Sequence, residues 1–289
     1  MKRALLFAVT AVFLSCSLSY AYKDHTGNNL RLLAPGRIAA GGELSRPDFG
    51  EPVLVTHLPP QLPQRISGFT YDGRKLWAMI YQGRGRYATL SPSTLEWTVS
   101  TSEEQHKVIR EVSGDFQAPG GISFVDGKLW VAGSYAGSLA CIDVQGWKAA
   151  RLFKGKYRQE DKASQMFSGM AFDGKYLWIA WHWFRYDLPA SQTQLLLKID
   201  PETGEVVGKF PVPPGAASDG VHGLAWDGTK LWHMKDSKLS AIDPADGSII
   251  AQYVFEQIER PSGLAWDGQT LWIAEFDGKI WRLDFWAYA

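Results

Sequence analysis

One thirteen-residue segment recurs five times: SGFTYDGRKLWAM at Ser67 to Met79, GGISFVDGKLWVA at Gly120 to Ala132, SGMAFDGKYLWIA at Ser168 to Ala180, HGLAWDGTKLWHM at His222 to Met234 and SGLAWDGQTLWIA at Ser262 to Ala274. Successive copies begin 53, 48, 54 and 40 residues apart. That spacing suits propeller blades and is too long for leucine-rich or tetratricopeptide arrays. Each copy reads as a hairpin. Glycine, an apolar residue, a small residue and an aromatic make one short strand, Asp-Gly turns the chain, and Leu-Trp-x-Ala starts the return with strand-favouring residues.

A third strand follows, clearest at Leu195 to Asp200 and Leu239 to Asp243, and the turns Asp200 to Gly204 (DPETG) and Asp243 to Gly247 (DPADG) then reverse the chain. Fourth strands are predicted at Leu95 to Val99, Trp147 to Phe153, Glu205 to Phe210 and Ser248 to Phe255. The last unit runs out of chain after Leu283-Asp284, while Glu51 to Leu58 (EPVLVTHL) stands before the first repeat as an orphan strand. Pairing the two closes a ring and removes an exposed edge. The expected fold is all-β: a five-bladed β-propeller of four-stranded antiparallel blades, closed by an N-terminal strand, with 51–289 as one domain.

Ahead of it, Lys2 and Arg3 precede the apolar run Ala4 to Leu14 and the small-residue pattern Ser19-Tyr20-Ala21, which reads as a secretory signal over 1–21. Residues 22–50 form an extended N-terminal segment with little periodicity. The expected location is periplasmic or secreted, with no transmembrane span, since the longest apolar run falls short of ~20 residues. Leu14-Ser15-Cys16 partly resembles a lipobox, so a lipid anchor on Cys16 is the rival reading. Cleavage at Ala21 leaves Cys141 without a partner for a disulfide, which makes it a small core residue. With 30 basic against 30 acidic residues the formal charge is zero, giving no field to gather phosphates, and nucleic acid is not an expected partner.

In antiparallel blades the turns alternate between two faces. The Asp-Gly and Asp-Pro-x-x-Gly turns are short and uniform, whereas the connections at 81–86, 100–119, 154–167, 181–193 and 211–221 vary, so one face carries the variable loops and is the default binding surface. On that face, residues that break the repeat's own pattern are the informative ones. His222 stands where other copies have Ser or Gly; Lys235, Glu275 and Trp181 stand where others have Ile and Gly. Lys235 and Glu275, in neighbouring blades, could approach each other and make either a structural ion pair beside a solvated His222, or a polar pocket in which Glu275 is base or acceptor and Lys235 or His222 binds an anionic or carbonyl group. The stretch Trp181 to Pro189 (WHWFRYDLP) mixes aromatics with His182, Arg185 and Asp187. It is either a recognition surface, with Trp181, His182, Trp183, Arg185, Tyr81 and Tyr135 as ligand-binding candidates, or a loop capping the core. The blade tryptophans Trp77, Trp130, Trp178, Trp232 and Trp272 recur at one repeat position and read as packing.

The chain carries no H-E-x-x-H, G-x-S-x-G, P-loop or zinc-spaced cysteine pair, so no cofactor and no metal centre are expected. A calcium site would have to draw on Asp219, Asp236 or Asp277, and loop carboxylates are more often solvated. The copies resemble repeats of secreted bacterial and archaeal propellers of the streptogramin lyase, NHL and YVTN groups, over Ser67 to Asp284. Five blades also resemble the plant-type glutaminyl cyclases, which implies an acidic residue, Lys, Asn and Trp in a central pocket; Trp181, Lys235 and Glu275 would be part of such a set. The two asparagines, Asn28 and Asn29, lie outside the repeats. The functional expectation is an exported binding module for a protein, peptide or small ligand. The alternative is a glutaminyl cyclase-like or lyase-type enzyme using Glu275 with Lys235 and His222.

Overall fold

The computed structural model describes residues 31–33, 37–39, 49–81, 83–114, 119–157, 165–184, 190–213 and 222–285. Two short strands, β1 (Arg31–Leu33) and β2 (Arg37–Ala39), precede β3 (Val53–His57). Blade one is β4 (Ile66–Tyr71), β5 (Leu76–Ile80), β6 (Tyr87–Leu90) and β7 (Trp97–Val99). After helix α1 (Glu103–Ser113), blade two is β8 (Pro119–Val125), β9 (Lys128–Gly133), β10 (Ser138–Asp143) and β11 (Lys148–Phe153). Blade three is β12 (Gln165–Phe172), β13 (Leu177–Trp183), β14 (Gln194–Ile199), reached through the short helix α2 (Ala190–Thr193), and β15 (Val206–Pro211). Blade four is β16 (Gly223–Trp226), β17 (Leu231–Lys235), β18 (Lys238–Ile242) and β19 (Ile249–Val254). Blade five is β20 (Pro261–Trp266), β21 (Thr270–Glu275) and β22 (Lys279–Asp284), completed by β3. The chain is therefore the expected propeller of five antiparallel blades.

Ring closure follows the expected pairing of the orphan strand with the last unit, with His57 opposite Lys279, Thr56 opposite Ile280, Leu54 opposite Trp281 and Val53 opposite Arg282. Burial is distributed differently from a simple reading of the strand. Val53 is 52% exposed, and the anchors lie at the flanks, in Leu58 and in Phe49. Phe49 packs in a ring of aromatics, 4.6 Å from Tyr253 and 4.8 Å from Phe285 between centroids. The segment 22–50 also contributes more than an extended lead: β2 pairs with the outer strand of blade four through Gln252–Ile38 and Tyr253–Arg37, and β1 extends that sheet to six strands. Helix α1, absent from the sequence reading, starts on the Ser102 cap and buries Ile109 and Val112 in the seam between blades one and two.

The uniform Asp-Gly motif hides two turns. In blades one, three, four and five the aspartate caps the turn with one oxygen and accepts the blade tryptophan's indole N–H with the other, at 2.7 Å (Asp72–Trp77), 2.8 Å (Asp173–Trp178), 2.8 Å (Asp227–Trp232) and 2.7 Å (Asp267–Trp272). In blade two the aspartate sits one residue nearer its tryptophan, and Asp126 and Gly127 both take positive φ, at 47° and 74°, as a two-residue primed hairpin requires. The repeat glycines have a second reason. A β-carbon on Gly121 would lie 2.3 Å from the Ser168 carbonyl oxygen, on Gly169 2.7 Å from that of His222, and on Gly263 2.3 Å from the Phe69 β-carbon. Only glycine lets the inner strands approach this closely around the axis. The cores then lie in the five seams between adjacent blades.

Candidate functional site

The seam between blades three and four changes character along its length. Toward the turn face it is apolar, Ala171, Trp178, Ala180 and Leu196 meeting Leu224, Leu231 and Ile242. Side chains alternate along a strand, so the same two faces present His182 and Gln194 from blade three, and His222, His233, Lys235 and Ser240 from blade four, nearer the loop face. All but Gln194 are under 7% exposed. His222 Nδ1 lies 2.8 Å from His233 Nε2, with the rings at 41°. Lys235 Nζ donates to Gln194 Oε1 across the seam. One step outward on blade four, Ser240 faces His233 directly, and Gln252 Nε2 donates to Ser240 Oγ at 2.9 Å. A polar row thus crosses blade four from its inner to its outer strand.

Burial keeps both imidazoles neutral. It holds His222 well below its ordinary value, reinforced by His233, Lys235 and His182 in that order, and lowers His233 to about 3, with Lys235 adding to the effect. A neutral pair sharing one hydrogen bond has one N–H between the rings and one ring nitrogen left over on each, one a donor and the other an acceptor. Among the described residues those outer atoms, His222 Nε2 and His233 Nδ1, are buried without a hydrogen-bond partner, and so is Ser168 Oγ, next to the glycine whose N–H donates to the His222 carbonyl at 2.9 Å. Buried polar atoms are rarely left so.

The other candidates fall elsewhere. Glu275 is 1% exposed and its oxygens are engaged: Oε1 accepts the backbone N–H of Glu259 at 2.8 Å and of Arg260 at 3.1 Å, and Oε2 accepts the Trp281 indole at 2.7 Å. Its ionic neighbour is Lys279, at 3.7 Å. Lys235 and Glu275 hold equivalent repeat positions and so each faces the preceding blade. They enter different seams, with the sheet of blade four between them, as the apolar residues on the same strand faces show. Trp181 points into the seam between blades two and three, 7% exposed, stacked 6.0 Å from Trp183 and donating to Gln165 Oε1 at 3.4 Å. His182 stacks on Phe184 at 4.4 Å. Tyr81 and Tyr135, from blades one and two, bring their hydroxyls within 3.4 Å, and Tyr81 packs 5.4 Å from Phe276, over which the Arg260 guanidinium lies at 4.7 Å. This is a second, partly exposed patch on the loop face. Arg185, Asp187 and Asp219 lie outside the described residues. Among those described, no cluster of three or more His, Cys, Asp or Glu has the geometry to hold a metal ion.

His233, Gln194 and Gln252 were missed in the sequence reading. His233 carried a signal, standing where the other copies have Ala78, Val131, Ile179 and Ile273. Gln194 and Gln252 lie outside the thirteen-residue segment, where the copies do not align and no pattern was available to break.

No protein-family model matches the chain, and no curated protein matches it. Similarity is found among solved structures. Myxococcus xanthus glutaminyl cyclase aligns with a TM-score of 0.54 at 12% identity, over 81% of this chain and 97% of that one. The likeness is one of fold: this chain is a five-bladed propeller. Virginiamycin B lyase from Staphylococcus aureus aligns with a TM-score of 0.48 at 17% identity, over 81% of this chain and 100% of that one. BamB from Moraxella catarrhalis gives 0.40 at 14% identity, over 90% and 76%. No helix among the described residues is long and apolar enough to cross a membrane.

Proposed function

We propose that this propeller is an exported, periplasmic or secreted binding module that seats a protein, peptide or small ligand on its loop face, at the channel mouth beside blades three and four. The supporting observation is the buried polar cluster of His222, His233 and Ser168, whose spare donors and acceptors have no partner among the described residues. A ligand with its own hydrogen-bonding groups would satisfy them. Lys235 beside them favours an acceptor-rich or anionic group. Trp183 and Phe184, half-buried at the loop-face end of β13 in blade three, supply apolar contact area.

In a pull-down from an envelope fraction, the wild-type protein is expected to retain a partner that Trp183→Ala and Lys235→Met lose while still melting as folded domains. Identical partner sets for all three proteins would sink the proposal. The second reading, a glutaminyl cyclase-like or lyase-type enzyme, draws on the fold shared with the Myxococcus enzyme. Against it stand the three donors already bound to Glu275, which leave that carboxylate poorly placed to take a substrate proton. Peptides beginning with Gln are therefore expected to release no more ammonia with wild-type protein than with Glu275→Gln. Release well above that control would favour the enzyme.

A further inference from the structure

The polar row of blade four has a direction. At its outer end Gln252 Nε2 donates to Ser240 Oγ at 2.9 Å, so the hydroxyl keeps its own proton to give. Directly opposite Ser240 on the next strand inward stands His233, 0% exposed, whose Nδ1 is one of the two ring atoms left over. Two arrangements of protons can span the 2.8 Å contact between the imidazoles. In one, both rings carry their proton on Nδ1. His233 then holds a sealed N–H, and a Ser240 oxygen that accepts from both sides leaves its hydroxyl proton without an acceptor. In the other, both rings carry it on Nε2: His233 Nδ1 is an acceptor facing Ser240, and His233 Nε2 donates to His222 Nδ1. The second is favoured, because buried N–H groups are left orphaned more rarely than buried acceptors and because it places the Ser240 proton. The donor left over is then His222 Nε2–H, at the inner end of the row, just before β16 begins at the loop face.

We propose, resting on the loop-face binding function above, that the ligand group seated at His222 is a carboxylate, drawn by the Nε2–H that Gln252, Ser240 and His233 hold in place. Each donor in such a chain polarises the next, so the last N–H is a stronger donor than a lone imidazole offers. The surrounding charge points the same way. The groups that act on the His222 ring are His233, Lys235 and His182, with no carboxylate among them. Lys235 Nζ, beside Gln194, brings further N–H donors to the same end of the seam. A carboxylate offers only acceptors to this set, and charge-assisted bonds are roughly twice as strong as neutral ones. A carboxamide would turn two donors of its own toward the cluster. Gln252, Ser240 and His233 touch no ligand here and act as positioning residues for His222.

Proton–nitrogen correlation spectra of the full chain carrying isotope-labelled histidine read the tautomers without any ligand. Both rings of the pair are expected to hold their proton on Nε2 at neutral pH, and Ser240→Ala is expected to populate the Nδ1 form as well. Titration calorimetry with hippurate and hippuramide, which differ only in carboxylate against carboxamide, reads the ligand class. Hippurate is expected to bind ~10-fold or more tighter than hippuramide. Ser240→Ala is expected to reduce that preference to ~3-fold or less, and Trp183→Ala to weaken both ligands alike and keep it. Protonation of Nδ1 on both wild-type rings overturns the proposal, as does equal affinity for the two ligands or the absence of saturation below ~50 mM hippurate. A partner retained in the pull-down beside any of these results leaves the binding module standing and removes only the carboxylate. Should Ser240→Ala fail to fold, the wild-type tautomers and the two ligands decide.

Discussion

Lowering the pH from 7 to 4.5 is expected to destabilise the wild-type protein by at least about 3 kcal/mol more than a variant in which the buried histidine pair is replaced, His222→Ser with His233→Val. These substitutions restore residues that other blades carry at the same positions, Ser67 and Val131 among them. The sign follows from the folded values lying below the unfolded ones. Between the unfolded value of 6.5 and the folded value of about 3, unfolded His233 binds a proton that the native state refuses. Stability is therefore full above pH 6.5 and falls as the pH drops through that window, by about 1.4 kcal/mol per pH unit for one such group. His222, lowered by the same burial and by its cationic neighbours, acts in the same direction. No carboxylate is among the groups that shift either ring; Lys235 on the same strand and His182 across the seam both oppose protonation. His106, also lowered by burial, is present in both proteins and cancels in the comparison. A gap of 3 kcal/mol corresponds to roughly 6–12 °C in melting temperature for a domain of this size. Parallel pH profiles for the two proteins would show that the pair is not held neutral by the fold.

Truncation at the N-terminus should give an all-or-none contrast. Removal of residues 1–48 leaves Phe49 and β3 in place and, among the described residues, takes away the β1–β2 pair on the outer edge of blade four, so folding should survive with a modest loss. Removal through Leu58 is expected to abolish the native state. It takes the outer strand from blade five, unpairing the backbone of β22 at about 1 kcal/mol per lost hydrogen bond, and empties the sites of Phe49 and Leu58, each worth about 3 kcal/mol or more as a cavity. The sum rivals the roughly 5–15 kcal/mol that holds a domain together. The freed edge of β22 would also template pairing between molecules, so aggregation should accompany unfolding. A longer truncation that melts and elutes like the wild type would contradict this account of closure.

The blade count and the closing strand were legible because they rest on the recurring segment and on strand alternation, which each of the five blades follows in its two inner strands. The site was legible only where a residue broke the repeat. His222 and Lys235 stood out and do meet in one seam. Glu275 stood out equally, yet its deviation serves the loop at Glu259 and Arg260, whose backbone donors no sequence pattern announces. The expectation that Lys235 and Glu275 approach each other treated neighbouring blades as neighbouring side chains. Equivalent positions face the same way round the ring, so neighbours in the alignment lie one seam apart. Trp181 illustrates a further ambiguity: it packs inward beside Phe167 and Gln165, while Trp183, on the same strand face but nearer the loop end, is only partly buried.

The closing strand also fixes an order of events. β3 is among the first parts of the domain to be synthesised, and its partner β22 is almost the last. Until residues 279–284 arrive, an apolar strand with no ladder waits on a growing chain, and the completed blades stand as an open arc whose seams to the last blade are unfilled. The final step joins segments more than two hundred residues apart, the kind of contact that is slow to form and cooperative once made. A cut in either terminal strand then opens the whole circle rather than fraying one end of it. Resistance to proteolysis should therefore appear abruptly, when the last blade is complete, and not blade by blade.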